Sequence, residues 1–189
     1  MLNEGRLIII SGPTASGKST LCRRLALGPQ VKFSVSATTR SRRDGEKDGL
    51  DYYFVSPEEF KEKISKGEFL EWAKVHGNYY GTLHREIEDI VSGGHDVVLE
   101  VDVQGHSQIL KSRFKQISLF INPPSREILI NRLRDRGTEN EEQIKKRLGI
   151  VEQEMALSNQ YDHHLVNDDF EIMLRQIQKI LGYSSNYHG

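Results

Sequence analysis

The 189-residue chain is long enough for one domain with a sizeable core, and its 28% charged and 37% apolar residues are typical of a globular protein rather than a disordered one. Its net charge of -1 provides no overall positive field, so we do not expect nucleic acid as a partner. The single cysteine, Cys22, excludes an intramolecular disulfide. No apolar run reaches the length of a membrane span and no signal-peptide core is present, so we expect no membrane association and a cytosolic location. These properties leave the oligomeric state open.

The first predicted elements enclose a glycine-rich loop. A short apolar run predicts a buried parallel strand at Leu7–Ser11, and a helix is predicted at Ser19–Leu27. The loop between them fits the pattern G-x-x-x-x-G-K-[ST], and this strand–loop–helix context favours a phosphate-binding loop over an ordinary Gly/Ser-rich connection. The residues concerned are Gly12, Pro13, Thr14, Ala15, Ser16, Gly17, Lys18 and Ser19, followed by Thr20.

The residue types of this loop suit a polyphosphate. Glycines let backbone N–H groups turn inward, and the helix that follows adds the positive end of its dipole. Lys18 is expected to reach the β- and γ-phosphates, and the Ser19 hydroxyl to contact Mg²⁺ bound with the triphosphate. The sequence therefore predicts binding of a nucleoside triphosphate.

A long insertion of different texture, roughly residues 31–85, follows. We expect a small, partly β subdomain laid over the sheet. Within it, Ser56 is expected to cap a helix that has Pro57 in its first turn and Glu59 reaching back, with Gly67 ending the helix. The preceding segment TTRSRR contains three arginines, which either grip a phosphate or form a solvated surface loop. Residues 68–73 and 77–82 are interpreted as loops whose aromatics serve packing.

The remaining pattern alternates strands and helices, which predicts an α/β fold with a parallel sheet core flanked by helices. Further strands are expected at Val97–Val101, Ile117–Ile121 and His164–Val166, and helices at Ser125–Arg134, Glu141–Asn159 and Phe170–Leu181. Alternation along the 97–101 strand would place Glu100 and Asp102 on the same side, where an acid could hold either a Mg²⁺ shell or a base. The seven histidines show no metal-ligand spacing, so no metal site with protein ligands alone is expected.

Taken together and in collinear order, these segments resemble the guanylate kinase family. The resemblance runs from the phosphate loop through TTRSRR, GLDYYFV, GEFLEWA, GNYYGT and LEVDVQG to RGTENEEQIKKRL and VNDD. It implies a P-loop NTPase fold in a single domain, with a core at about 1–32, 86–133 and 160–183, a GMP-binding insertion at about 33–85 and a helical lid at about 134–159. It also implies transfer of the γ-phosphoryl group of Mg·ATP to GMP, and to dGMP as a further acceptor.

The resemblance assigns roles to individual residues. It places Arg40, Arg43, Tyr52 and Tyr80 on the GMP phosphate, and Ser36, Glu71, Thr82 and Asp102 on the guanine. It places Arg132, Arg136 and Arg147 of the lid on the transferring phosphoryl group, with Lys18 and Arg40 as further catalytic cations, and Asn167 near the adenine. For Asp102 it favours the base over the metal shell.

The chain departs from the family pattern at two positions. Ala15 stands where a glycine is usual, and alanine would strain the loop by roughly 1–2 kcal/mol if the position needs a positive φ. Arg42 replaces a common proline, which bears on the rigidity of the turn between Arg40 and Arg43. Two other functions remain as alternatives: a guanylate-kinase-like module that binds phosphopeptides without catalysis, and a kinase for another small phosphate acceptor. The retained Lys18 argues against the first, and the base-reading set argues against the second.

Overall fold

The computed structural model describes residues 5–75, 77–135 and 141–183. The strands, in chain order, are β1 (Leu7–Ser11), β2 (Val31–Phe33), β3 (Ala37–Thr38), β4 (Tyr53–Phe54), β5 (Phe69–Val75), β6 (Asn78–Leu83), β7 (Asp96–Glu100), β8 (Gln116–Asn122) and β9 (His163–Val166). The helices are α1 (Lys18–Leu25), α2 (Pro57–Ser65), α3 (His84–Ser92), α4 (Val103–Ile109), α5 (Arg126–Asp135), α6 (Glu141–Ala156) and α7 (Phe170–Leu181), with a 3₁₀ turn at Ser158–Gln160.

The main sheet is parallel, with strand order β2-β7-β1-β8-β9. The central strand β1 is buried on both faces. Ile8 and Ile10 pack in a cluster with residues of α1 and α7, whereas Leu7 and Ile9 pack in a second cluster with residues of α3 and α4. This arrangement confirms the predicted α/β class with a parallel core flanked by helices. Strands β2 and β7 lie on one side of β1, and β8 and β9 lie on the other. The direction of winding therefore reverses at β1, and ligands are expected at the carboxyl ends of β1 and its neighbours.

A smaller sheet, with strand order β4-β3-β6-β5, is mostly antiparallel and is covered by α2. Phe60 of α2 is fully buried and stacks on Phe69 of β5, with ring centroids 4.3 Å apart. The predicted cap of α2 is confirmed, because Ser56 Oγ accepts a hydrogen bond from Glu59 N at 3.1 Å. Gly67, with φ of 67°, follows the end of α2 as predicted.

Several segments differ from the predictions. Phe33, assigned to the inserted subdomain, pairs with Val98 in the main sheet through β2. Residues 68–73 and 77–82 lie largely in strands β5 and β6 rather than in loops. Helices α3 and α4 were not predicted. The subdomain boundaries themselves remain a prediction. Where strands and helices were predicted, their ends agree within about three residues, and α7 begins and ends as predicted.

Candidate active site at the carboxyl end of the parallel sheet

The loop between β1 and α1 curls at the carboxyl end of the main sheet. Gly17 has a φ of 97°, and a Cβ there would lie 2.2 Å from Asn167 Nδ2, so only glycine fits this close approach. Lys18 Nζ donates to the carbonyl oxygens of Gly12 and Pro13, at 2.6 and 2.7 Å, which places the ammonium within the curl. The Ser16 N–H donates to Pro13 O at 3.2 Å and closes the turn. The predicted loop is thus a concave, backbone-lined surface at the start of α1.

Ala15 has the positive φ for which the sequence predicted a strained loop. Its φ is 61°, and among the described residues it is the one non-glycine with positive φ. Such a conformation costs alanine roughly 1–2 kcal/mol. Its methyl group is buried, with 8% of the residue exposed, in a cluster formed by apolar side chains of α5 and α6. The departure from glycine therefore combines a strained backbone with a packed methyl group.

A carboxylate faces the phosphate loop from the end of β7. Ser19 Oγ donates to Glu100 Oε1 at 3.0 Å, and both line a cavity of about 100 Å³ together with Thr14 and Lys18. Thr20 lies in the first turn of α1 and is exposed. The prediction that Glu100 and Asp102 share one strand is wrong, because β7 ends at Glu100. Asp102 instead caps α4.

Two of the predicted arginines contact the phosphate loop or Asn167, which is bonded to it. Arg147 Nη1, on α6, donates to Thr14 Oγ1 at 3.0 Å. Arg132 Nη2, on α5, donates to the carbonyl oxygen of Asn167 at 3.1 Å, and Asn167 Nδ2 donates to Ser16 O at 2.8 Å. Arg132 is thereby linked to the loop through Asn167. Arg136, the third predicted lid arginine, lies outside the described residues.

The predicted phosphate-gripping residues, from the β3–β4 connection and from β6, form one cluster. Arg40 makes a bidentate ion pair with Glu46, at 2.7 and 3.0 Å, and lies 5.4 Å above the ring of Tyr52. The rings of Tyr52 and Tyr80 meet edge to face at 6.0 Å. Arg43 is exposed, and its backbone N–H donates to Glu46 Oε2 at 2.8 Å. The hydrogen bonds from Arg40 and Arg43 hold the pKa of Glu46 to about 2.

A buried carboxylate lies on β5, which pairs with β6. Glu71 is only 6% exposed, and Thr82 Oγ1 donates to its Oε1 at 2.7 Å. A β-bulge makes this contact possible. Pairing moves from Phe69 opposite Leu83 directly to Glu71 opposite Thr82. Without the extra residue, Leu70 would face Thr82, because a single-residue shift moves every side chain to the other face.

The surroundings of Glu71 disfavour its charge. Burial raises its pKa to about 7, the hydrogen bond from Thr82 opposes the shift, and the negative charge of Asp102 adds to it. Asp102 Oδ1 accepts from Gly105 N at 2.8 Å at the start of α4. A Cβ at Gly105 would lie 2.6 Å from Glu71 Oε2, so the glycine leaves room for the carboxylate. Ser36, the remaining predicted base reader, lies just before β3, where its carbonyl oxygen accepts from Tyr53 N at 3.0 Å.

Sequence reasoning missed two residues of this arrangement, Glu46 and Gly105. The signal for Glu46 was its place three residues after Arg43 in a turn-forming stretch, where a carboxylate can reach back to the backbone and the arginines. The position of Gly105 carried no local signal. Its constraint comes from Glu71, which is 34 residues earlier in the chain and reaches α4 only through the tertiary fold.

No helix within the described ranges is long and apolar enough to cross a membrane. Among those same residues, no group of three or more His, Cys, Asp or Glu side chains could hold a metal ion.

Comparison with known proteins identifies the family. The family model described as guanylate kinase matches residues 4–183. The chain belongs to the guanylate kinase family. A guanylate kinase of Desulfitobacterium hafniense is 47% identical over 181 residues, covering 95% of this chain and 90% of the relative. One of Rickettsia felis is 43% identical over 180 residues, covering 95% and 94%. The crystal structure of guanylate kinase from Anaplasma phagocytophilum has a TM-score of 0.74 at 35% identity, covering 95% of this chain and 86% of that one.

Membership of the guanylate kinase family confirms the resemblance seen in the sequence and the expected P-loop NTPase fold. It also makes the chain an enzyme, a nucleoside monophosphate kinase, rather than a binding module that has lost catalysis. The phosphate loop is the part of the fold that a phosphoryl donor requires. The roles of the individual residues are the subject of the proposals below.

Proposed function

We propose that the chain transfers the γ-phosphoryl group of Mg·ATP to GMP, giving ADP and GDP, with dGMP as a second acceptor. The observation that carries the choice of acceptor is the buried Glu71–Thr82 pair at 2.7 Å. One carboxylate can accept the adjacent N1–H and N2–H donors of guanine, whereas the edge of adenine lacks that pair. Adenine would leave a buried carboxylate unpaired, and sites built on such hydrogen bonds can discriminate by about 10⁴-fold.

The remaining base contacts are proposed for Ser36, Thr82 and Asp102. The Ser36 hydroxyl can donate to guanine O6. The Thr82 hydroxyl donates its one proton to Glu71 Oε1 in the free protein and would have to turn it toward O6 to contact the base as well. Asp102 adds an acceptor near Glu71 for the N2 amino group. Its cap on α4 orients its side chain, because one of its oxygens is bound to the Gly105 N–H at 2.8 Å. This supports the base rather than the metal shell for Asp102.

The GMP phosphate is proposed to bind at the Arg40 cluster. The ion pair with Glu46 holds the Arg40 guanidinium in one orientation over Tyr52. Its other N–H donors, together with Arg43 and the hydroxyls of Tyr52 and Tyr80, suit a phosphate dianion. Glu46 is a positioning residue in this scheme, and it compensates for the lost rigidity where Arg42 replaces a proline.

At the phosphate loop, the residues present fit Mg²⁺. Ser19 Oγ and Glu100 Oε1 lie 3.0 Å apart, and both are hard oxygen donors of the kind Mg²⁺ accepts beside water and phosphate oxygens. Ser19 would contact the ion, with Glu100 holding it directly or through water. When bound, Mg²⁺ would neutralise negative charge on the phosphate groups.

No protein nucleophile is needed for this reaction. The GMP phosphate oxygen attacks the γ-phosphorus in line, and the protein contributes position and positive charge. Lys18 is proposed to neutralise the β- and γ-phosphates. Arg132, Arg136 and Arg147 are proposed to neutralise the transferring group from the lid, and Asn167 to lie near the adenine. Closure of the lid and the small sheet would exclude water and so prevent wasteful hydrolysis of ATP. We place this reaction in the cytosol.

An acceptor panel tests the proposed reaction. ADP release from Mg·ATP is followed with GMP, dGMP, AMP, UMP and CMP in parallel. We expect strong turnover with GMP and dGMP and little with the others. Turnover with another acceptor in preference to GMP would overturn the base assignment. Binding of GMP without any turnover would instead favour a phosphate-binding module.

The affinity for GMP is expected to rise with pH. Only the ionised Glu71 can accept both guanine donors, and its pKa in the free protein is about 7. At one unit below that value, about ten protein molecules in eleven carry the proton, so the affinity at pH 6 should be about tenfold lower than at pH 8. Titration calorimetry at both pH values measures this, and Glu71→Gln controls for ionisation of the GMP phosphate. An equal pH dependence in the variant would contradict the assignment.

Glu71 also makes the free energy of unfolding depend on pH. Between the ordinary pKa of 4.5 and about 7, the unfolded chain has released the Glu71 proton while the folded protein retains it. The folded state binds more protons, so the free energy of unfolding falls as pH rises through this window, by roughly 3 kcal/mol at most. Urea denaturation at pH 5 and pH 8 should show this contribution in the native protein and not in Glu71→Gln.

A further inference from the structure

Ala15 retains a backbone conformation that glycine would adopt at lower cost. Its φ of 61° lies in the left-handed region, and the surrounding loop bonds do not involve its side chain. Strained residues persist where the surrounding structure over-determines them, and they cluster at functional sites. The methyl group is the one feature that alanine has and glycine lacks. The side chains around this methyl group therefore indicate which interaction the strained conformation of Ala15 makes possible.

The methyl group of Ala15 lies in an apolar cluster made by α5 and α6. Leu129 and Leu133 come from α5, and Ile144 and Val151 come from α6, with Leu148 packed against them. Positions 144, 148 and 151 are spaced by four and three residues, so they share one face of α6. That face packs in the cluster that also contains Ala15 and the α5 side chains.

A polar contact lies immediately beside this cluster. Arg147, which neighbours Leu148 on α6, donates from Nη1 to Thr14 Oγ1 at 3.0 Å. Two successive loop residues, Thr14 and Ala15, therefore meet α6, one through a hydrogen bond and the other through buried apolar contact. A hydrogen bond from one long side chain leaves a helix free to pivot, whereas a second contact one residue away restricts it.

We propose that Ala15 is a positioning residue that docks α6 onto the phosphate loop through its methyl group and so holds Arg147 at Thr14 before a nucleotide binds. The inference rests on the proposed role of α5 and α6 as the helices that cover ATP. The proposal adds a contact from the phosphate loop, through Ala15, to the role of these helices. In this chain the lid is organised by the protein as well as by the nucleotide, and the strain at residue 15 is the cost of that organisation.

Hydrogen exchange of the α6 amides without nucleotide tests the docking. Ala15→Gly removes the contact from the loop side, and Val151→Ala removes it from the helix side without altering the loop backbone. Ala15→Gly removes one buried methyl group and should speed exchange in α6 about fourfold, whereas Val151→Ala removes two and should speed it about 15-fold. If both act on one contact, the double variant should exchange no faster than the faster single variant. Gln153→Ala, at an exposed position of α6, is the control and should leave exchange unchanged.

Unchanged α6 exchange in Ala15→Gly, or fully multiplicative effects in the double variant, would overturn the proposal. Since this readout needs no substrate, it stands even if the proposed acceptor is wrong. Steady-state kinetics gives a second test. We expect the KM for ATP to rise by up to about fourfold in Ala15→Gly and about 15-fold in Val151→Ala while the KM for GMP stays constant. An equal rise of both KM values would indicate general loosening of the fold, and a lower KM for ATP would mean that the docked lid obstructs the site.

Discussion

Replacing Glu71 with glutamine is expected to reduce the preference for GMP over AMP by about 10- to 100-fold. The Glu71 side chain is 6% exposed and bonded to Thr82. Glutamine has the same shape as glutamate, so the substitution leaves the packing around it intact. The glutamine amide, however, presents donors where guanine also has donors, and a buried donor left unpaired costs about 1–3 kcal/mol. The ratio of kcat/KM for GMP to that for AMP measures the effect directly.

The control for Glu71→Gln is the same substitution at a carboxylate outside the site. Glu58→Gln changes an exposed residue in the first turn of α2 and should leave the ratio unchanged. In Glu71→Gln the loss should lie in base selectivity more than in capture of the phosphate. GMP kinetics should therefore worsen far more than AMP kinetics. An unaltered GMP-to-AMP ratio would rule out Glu71 as the base reader.

Removing the ammonium of Lys18 is expected to reduce phosphoryl transfer by about 10³-fold or more while GMP binding persists. Cations that neutralise the transferring group contribute on the order of 10³ to 10⁵ in rate in related phosphoryl-transfer systems. Lys18 Nζ lies within the phosphate loop, bonded to Gly12 O and Pro13 O, whereas the proposed GMP site is formed by the small sheet and α4. The rate of ADP release and the Kd for GMP, measured on Lys18→Ala, separate the two effects.

The two carbonyl bonds of Lys18 also support the loop, so a second variant is informative. Lys18→Met keeps most of the side chain and removes only the charge and its donors. Lys32→Ala, at an exposed position of the edge strand β2, controls for the loss of a lysine elsewhere. Retention of more than a tenth of the native rate in both Lys18 variants would contradict the assigned role. A parallel loss of GMP affinity would show that the two sites are not separable.

The sequence allowed accurate prediction where the signal is local. The phosphate loop carries its own pattern, and the buried run of β1 and the amphipathic face of α7 follow from periodicity alone. The missed strands had weaker patterns. In β5 the bulge makes Phe69, Leu70 and Glu71 all buried, which removes the alternation expected of a strand. Helix α4 has Gly105 in its interior, which lowers its helical propensity. Helix α3 did carry a signal, with Ile87, Ile90 and Val91 on one face, that was overlooked.

By itself, the sequence determined the α/β class, the phosphate loop and, through resemblance, the family. These depend on residue types at short spacing, which a linear chain displays in full. Only the tertiary structure decided that a bulge turns Glu71 toward Thr82, that Asp102 caps α4 while Glu100 faces Ser19, and that the Ala15 methyl packs against the lid. Each of these contacts joins residues distant in the chain or depends on strand register. Register and packing depend on which surfaces come into contact in the folded molecule, and no short stretch of sequence specifies those contacts.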